Sequence, residues 1–306
     1  MSAAAGQQIT VPARLAAAVR RRPGADGPAW LAALPGLVGA GLERWELTPE
    51  RVVEPGGRHA LVCAVRRADG SPAVLKLTPP GPAGAQEHAA LAHWAGRGAV
   101  LALAAEPADG ALLLERLHGD IPLRSLAEAK AMLEAAGLLQ RLWVAPPEGH
   151  GFGTLSERAG ALADGIRSRR QLAPEAVALA DEAVELAAAL AASGTESYLL
   201  HGDFHHGKVL AADRSPWLAV SPRPLVGERA WDLARLAQDR MDTLVGSPGQ
   251  RGAVRRRLHQ LADAVEVDHG RLRGWTLVRT VATGLHHLEA GSTGAAELYL
   301  EFADWL

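Results

Sequence analysis

The stretch from Leu199 to Asp232, LLHGDFHHGKVLAADRSPWLAVSPRPLVGERAWD, constrains the fold more than any other part of the chain. An apolar pair, Leu199-Leu200, runs into His201-Gly202-Asp203, a small turn that carries a carboxylate. His205, His206, Gly207 and Lys208 follow, then the apolar Val209-Leu210. A further apolar segment, Trp217 to Val220, stops at Ser221-Pro222. Short apolar runs separated by polar junctions predict two short strands joined by a turn, with polar side chains gathered at the strand ends. Irregular segments on a rigid scaffold are where chemistry concentrates, so this stretch is the candidate site.

A chain of 306 residues is long enough for two lobes, each with its own core. With 48% hydrophobic and 22% charged residues it is an ordinary globular sequence. A net charge of −2 gives no general attraction to nucleic acid or to an anionic membrane, so neither is expected as a partner. Oligomeric state leaves no mark in the sequence. The lone cysteine, Cys63, excludes an internal disulfide and makes the reducing cytoplasm the expected location. Its apolar surroundings predict a buried small hydrophobe rather than a reactive thiol. No charged segment followed by an apolar core marks a signal peptide, and no apolar run has the length of a membrane span. Of the 32 basic residues only Lys76, Lys130 and Lys208 are lysines, so each of these stands out.

Periodicity predicts helices over 11–21 and 28–45, broken at Pro23-Gly24. Strand signals follow at Val52-Val53, 59–66, 73–77, 100–105 and 111–114, with turns at Pro55-Gly56-Gly57, Asp69-Gly70 and Asp109-Gly110. Lys76 lies inside the apolar strand AVLKL, where its charge asks for an anionic partner. Glu87, early in a helix expected over 85–97, is the candidate. Glu115-Arg116-Leu117 ends an apolar strand and suits a hinge between lobes. Helices are then expected over 124–143 and 174–193, with a loop at 145–153, and beyond Asp232 over 231–245, 250–265, 270–290 and 294–305. Breaks are expected at 246–249 and 268–270. Arg255-Arg256-Arg257 reads as a solvated helix face.

Kinase catalytic loops place a base Asp, then five residues on an Asn that holds Mg²⁺, and later an Asp that also holds metal. Asp203 fits the base position, but Lys208 stands where the Asn belongs and Ser221 where the later Asp belongs. A strand Lys with a Glu on the next helix, here Lys76 and Glu87, is the pair kinases use on the nucleotide phosphates.

These blocks, together with AWLAALPGLV, ALLLERL, PWLAV, LVG, WDLARL and GWTLVRTVATGLHHLE, resemble the aminoglycoside/hydroxyurea antibiotic phosphotransferases across nearly the whole chain. The resemblance implies an α+β, two-lobed, protein-kinase-like fold. The N-terminal nucleotide-binding lobe, 1–117, would hold the small β-sheet with flanking helices, and 118–306 the larger, mostly helical lobe with the catalytic loop and substrate pocket. It implies ATP and Mg²⁺, and phosphorylation of a hydroxyl on a small antibiotic. Carried over by position, Lys76 would meet the phosphates, Glu87 would orient it, and Glu115 to Leu117 would form the hinge. Asp203 would accept the hydroxyl proton, with His201 and Asp232 bracing its loop and His205 and Lys208 beside it. The helices near Trp275, Arg279, His286 and Glu289 would bear on the acceptor, and Asp232 is grouped with Trp275 and Arg279 as substrate-side.

Arg58 and His59 also depart from the family pattern, which has small residues there. Lysine has no acceptor atom and Ser221 offers only a neutral hydroxyl, so the usual Mg²⁺ site is not expected. Lys208 and Arg223, with Arg58 or His59, are the cations that would serve nucleotide phosphates in its place. His201, His205 and His206 cluster, but two of them belong to the loop by resemblance, and no metal is expected there. Three readings stay open: a kinase acting on a small hydroxylated molecule; an impaired or repurposed pseudokinase that binds a nucleotide, a small molecule or a peptide in secondary metabolism; and a non-kinase enzyme using Asp203, His205 or Lys208 for acid–base work.

Overall fold

The computed structural model describes residues 9–21, 26–244 and 249–306. The breaks expected at Pro23-Gly24 and at 246–248 lie outside the described residues, as does the end of the helix expected over 231–245. The chain divides into two compact units, Met1–His118 with Ala212–Arg214, and Gly119–Ala211 with Ser215–Leu306.

The first unit is built on an antiparallel five-stranded sheet of β1 (Thr48–Val52), β2 (Leu61–Arg66), β3 (Pro72–Leu77), β4 (Ala102–Glu106) and β5 (Ala111–Glu115). Their order is β1-β2-β3-β5-β4. Strand alternation sorts the side chains. Leu61, Cys63 and Val65 of β2, Ala73, Leu75 and Leu77 of β3, and Ala111 and Leu113 of β5 form one face. That face packs on Leu15 and Val19 of α1 (Ala13–Arg20) and on Trp30, Leu34 and Val38 of α2 (Asp26–Arg44). Cys63 is buried there, and burial pushes its thiol up to about 11. Lys76 falls between Leu75 and Leu77 and so belongs to the opposite side of the sheet.

Helix α3 (Pro82–Trp94) starts and ends three residues earlier than its expected span. Pro82 suits a first helical turn, because its missing N–H would be unpaired there anyway, and Ala95 turns left-handed and closes the end.

The second unit is mostly helical. It contains β6 (His118–Pro122) from its second residue on, α4 (Glu128–Leu142), α5 (Leu155–Arg169), α6 (Val177–Ala192), β7 (Tyr198–Leu200), β8 (Val209–Ala211), β9 (Trp217–Ala219), β10 (Leu225–Gly227), α7 (Ala230–Gln238), α8 (Gln250–Val265), α9 (His269–Glu289) and α10 (Thr293–Asp304). Ile166 of α5, Ala180 and Ala183 of α6, Leu277, Val281 and Leu285 of α9 and Ala303 of α10 share a buried cluster.

The expected strands at 209–210 and 217–220 are present as the antiparallel pair β8 and β9, with β6 on the outer side of β8. Leu199-Leu200 pairs instead with β10. Helix α5 was not anticipated. Its signal is Thr154 with Glu157 three residues on, and both hydrogen bonds of that capping box form. Gly227 lets the helix dock, since a Cβ there would lie 2.4 Å from that of Leu155. Helix α7 stops at Gln238, because Asp239 is extended and Arg240 left-handed. The Asp239 carboxylate is used elsewhere, as described below.

Candidate active site

In the second unit the candidate loop is built downward from one buried carboxylate. Asp232, in the first turn of α7, accepts the His201 N–H at 2.9 Å on Oδ2 and the Gly202 N–H at 2.7 Å on Oδ1. The Trp143 indole N–H adds a third contact at 3.3 Å. Burial pushes the Asp232 carboxyl up to about 6, and the two backbone donors oppose that shift. Gly202 is left-handed (φ +78°), and a Cβ there would lie 1.9 Å from the Arg223 carbonyl oxygen. Only glycine permits this crossing of the loop with the segment after β9. The His201 imidazole is fully buried, and burial, then the Lys208 charge, pulls it down to about 3, so the ring is neutral at pH 7. Its Nδ1 accepts the Asp203 N–H at 3.3 Å, which leaves Nε2 to donate to the Val220 carbonyl at 3.2 Å. The two strand ends are thus tied together by His201.

Asp203 emerges from this frame surrounded by cations. The Lys208 ammonium lies 2.5 Å from its Oδ2 and the Arg223 Nε 3.8 Å from the same oxygen. The Arg235 Nε is 3.3 Å from Oδ1. Partial burial alone would raise this carboxyl, but the Lys208 charge and hydrogen bond, then Arg235, hold it far below the usual carboxylate range. Lys208 also donates to the Ser221 carbonyl at 2.9 Å. Ser221 itself is left-handed (φ +54°), a conformation that costs a non-glycine residue roughly 1–2 kcal/mol. His205 accepts the Gly207 N–H on Nδ1 at 3.2 Å, and burial followed by Arg235 lowers it to about 4.

Sequence reasoning missed three residues of this neighbourhood. Arg235 lies one turn beyond Asp232 on α7, a spacing that puts both on one helix face. Arg158 lies on the unanticipated α5; desolvation and then the Arg223 charge lower its pKa, while Asp203 opposes them. Asp239 takes both the backbone N–H of His206 at 2.9 Å and its Nδ1 at 2.7 Å. His206 is fully buried, and its Nε2 has no hydrogen-bond partner among the described residues.

Of the expected acceptor-side residues, Arg279 lies nearest the loop. Its guanidinium stacks 4.0 Å from the Trp231 ring centroid, with both terminal nitrogens 3.5 Å from the Gly202 carbonyl. Burial, then Arg235, pushes Arg279 down to about 9. Trp275 is fully buried, edge-on to Trp231 at 5.4 Å, and its indole N–H donates to Glu228. Trp275 and Asp232 expose no surface, so neither touches an acceptor in this conformation; they support the loop and α7 from beneath.

In the first unit the expected ion pair is formed. Lys76 Nζ lies 2.5 and 2.7 Å from the two Glu87 oxygens, and each residue is 5% exposed. The Glu115 carboxylate takes the Leu101 N–H at 2.7 Å and the Arg214 guanidinium at 2.7–3.0 Å. Arg116 reaches back to the Ala73 carbonyl at 3.2 Å and to Glu50. Leu117, half-buried, lies in the short connection before β6. Arg58 and His59 are exposed between β1 and β2.

Mg²⁺ requires oxygen ligands, usually including carboxylates. At the positions in question stand an ammonium and a serine whose carbonyl accepts from that ammonium. Both Asp203 oxygens face cations. Among the described residues no group of three or more His, Cys, Asp or Glu side chains is placed to hold a metal. The donor set does not fit a divalent cation.

The family model of the aminoglycoside/hydroxyurea antibiotic resistance kinases matches residues 44–291. This chain belongs to that family. It is 38% identical to a streptomycin 6-kinase of Streptomyces glaucescens over 93% of this chain and 92% of the relative. It is 39% identical to a hydroxyurea phosphotransferase of Kitasatospora aureofaciens over 98% of this chain and 87% of the relative. The fold is that of the aminoglycoside phosphotransferases: a crystal structure of APH(4)-Ia with ADP and hygromycin B aligns with TM-score 0.62 at 17% identity, covering 87% of this chain and 96% of that one. The kinase-like, α+β architecture expected from the sequence is therefore present. Among the described residues no helix is long and apolar enough to cross a membrane.

Proposed function

We propose that this resistance-kinase family member binds ATP and a small, hydroxylated, antibiotic-like acceptor, and that Asp203 is the group toward which the acceptor hydroxyl is directed. Family membership and the ADP-bound fold relatives support the nucleotide. The relatives named streptomycin 6-kinase and hydroxyurea phosphotransferase supply the acceptors to test first. Lys76, held by Glu87, is assigned to the nucleotide phosphates, as Glu115 to Leu117 are to the hinge backbone. Arg279 remains on the acceptor side. The cytoplasm, where ATP is abundant, is the assigned location.

One observation sets the expected rate: the 2.5 Å contact between Lys208 Nζ and Asp203 Oδ2. A general base must offer a lone pair to the hydroxyl proton. Here that carboxylate is tied to an ammonium and held far below the usual range, so proton acceptance is disfavoured. Phosphoryl transfer depends on positioning and charge stabilisation, and loss of one such group typically costs about 10²–10³ in rate. Transfer is thus slow in the chain as it stands, and nucleotide binding outlasts it. The test is ATP-dependent phosphorylation of streptomycin and of hydroxyurea by the wild type, the K208N/S221D double variant and D203N. A large gain in the double variant, absent when D203N is added, supports the reading. Equal inactivity in all of them, with nucleotide still bound, favours a binding protein instead.

A further inference from the structure

The absence of a fitting metal site has a positive counterpart in the position of Lys208. Its Nζ bridges Asp203 Oδ2 at 2.5 Å and the Ser221 carbonyl at 2.9 Å. These are the residues at the base position and at the later acidic position of a kinase loop. A divalent cation would have to displace an ammonium already bound there, against the added charge of Arg223, whose Nε lies 3.8 Å from the same Asp203 oxygen. The other oxygen is taken by Arg235 at 3.3 Å. The ammonium is held in place by the fold: Lys208 follows a short turn in which its own N–H donates to the His205 carbonyl, and Val220 N–H donates to the Lys208 carbonyl. The left-handed backbone at Ser221 accompanies its carbonyl's role as acceptor for that ammonium.

We propose that the Lys208 ammonium is the resident cation of this site, and that with Arg223 it lets the chain bind the phosphate tail of a nucleoside triphosphate without a divalent metal. A polyphosphate carries several negative charges and needs cations wherever it is bound out of bulk water. A metal-dependent site recruits that charge from solution, whereas this chain carries it on its own side chains. A lysine is a compact point charge with three donors and no acceptor, so it serves phosphate oxygens and repels a metal. The inference rests on the proposed use of a nucleotide and goes beyond it, because it assigns the charge-neutralising role to a side chain.

The experiment is ATP affinity of the full-length protein in excess Mg²⁺ and in excess EDTA, by calorimetry, with inorganic tripolyphosphate as a second probe. The expected result is affinities within about threefold of one another in the two conditions. Tripolyphosphate is expected to compete in EDTA, which assigns the contact to the phosphates rather than the base. K208N is expected to weaken ATP in EDTA by about tenfold or more, K208R to retain metal-free binding, and K208N/S221D to bind ATP more tightly with Mg²⁺ than without. Wild-type binding only with Mg²⁺ overturns the inference while leaving nucleotide use intact. No ATP binding under either condition overturns the proposed nucleotide use and the inference with it. Circular dichroism of each variant shows whether a lost signal reflects the site or the fold.

Discussion

The buried pair of Lys76 and Glu87 gives a prediction whose size follows from its burial. Both residues are 5% exposed, and the ammonium contacts both carboxylate oxygens, at 2.5 and 2.7 Å. Replacing Lys76 by methionine keeps the stem's volume and removes the charge. Glu87 then remains buried on α3 without that partner, a situation that costs about 3–5 kcal/mol. E87L leaves Lys76 in the same position inside β3 and should cost about as much. The double variant K76M/E87L removes both desolvation penalties at once and should be close to neutral, within about 1 kcal/mol of wild type. The cycle therefore predicts a coupling of several kcal/mol, readable as shifts of the urea unfolding midpoint of the full-length protein. If each single variant cost under about 1 kcal/mol, the pair would be behaving as a solvated surface contact and the burial argument would be wrong. A double variant as unstable as either single one would refute it differently, by showing that Lys76 packs rather than pairs.

Three further outcomes follow from the second unit and from Cys63. Asp232 titrates near 6 folded and near 3.9 unfolded, so the folded state binds its proton more tightly; stability should fall by about 3 kcal/mol as pH rises from about 4 to about 6, and D232N should flatten that slope in urea melts at stepped pH. H206A removes the imidazole donor from the buried Asp239 carboxylate, which keeps the backbone N–H of residue 206 and Arg124 at 3.6 Å, and should cost about 1–3 kcal/mol in thermal or urea denaturation, whereas H206N, which keeps a donor near Nδ1, should cost less. The Cys63 thiol, 2% exposed and pushed up to about 11, should resist maleimide in the native protein and label fully in denaturant; rapid native labelling would contradict its burial in the sheet core.

The first unit was legible because its signals are local. Five apolar runs separated by turn residues gave five strands, and the odd lysine in AVLKL pointed to its partner on the next helix. The second unit was legible only where a motif compressed it. Helix α5 has its apolar residues diluted by Arg, Ser and Gly, so periodicity does not mark it and only its Thr154–Glu157 cap carries a signal; Arg158 is hidden with it. Arg235 and Asp239 are unmarked in the sequence, because a helical Arg and a helix-ending Asp are ordinary. Only the fold brings α7 against the loop, where one meets Asp203 and the other captures His206. Trp275 illustrates the converse: an aromatic in a helix near the expected acceptor region turned out to be packed beneath Trp231.

The loop's shape and the loop's contents depend on different residues, and this separation explains how one persists while the other changes. Asp232 fixes the backbone of His201 and Gly202, His201 ties Asp203 to Val220, and Gly202 lets the Arg223 carbonyl approach. None of these contacts passes through the side chain of Lys208 or Ser221. The Lys208 side chain is 19% exposed and that of Asp203 20%, so exchanging the former for asparagine opens no sealed cavity. K208N should therefore keep the backbone frame while taking the closest cation from Asp203, at a cost of about 1–3 kcal/mol in urea unfolding, because Arg235 and Arg223 stay beside that carboxylate. The stability of the frame is what makes residue 208 free to carry a charge, and the charge it carries decides whether the site waits for a metal or supplies its own cation.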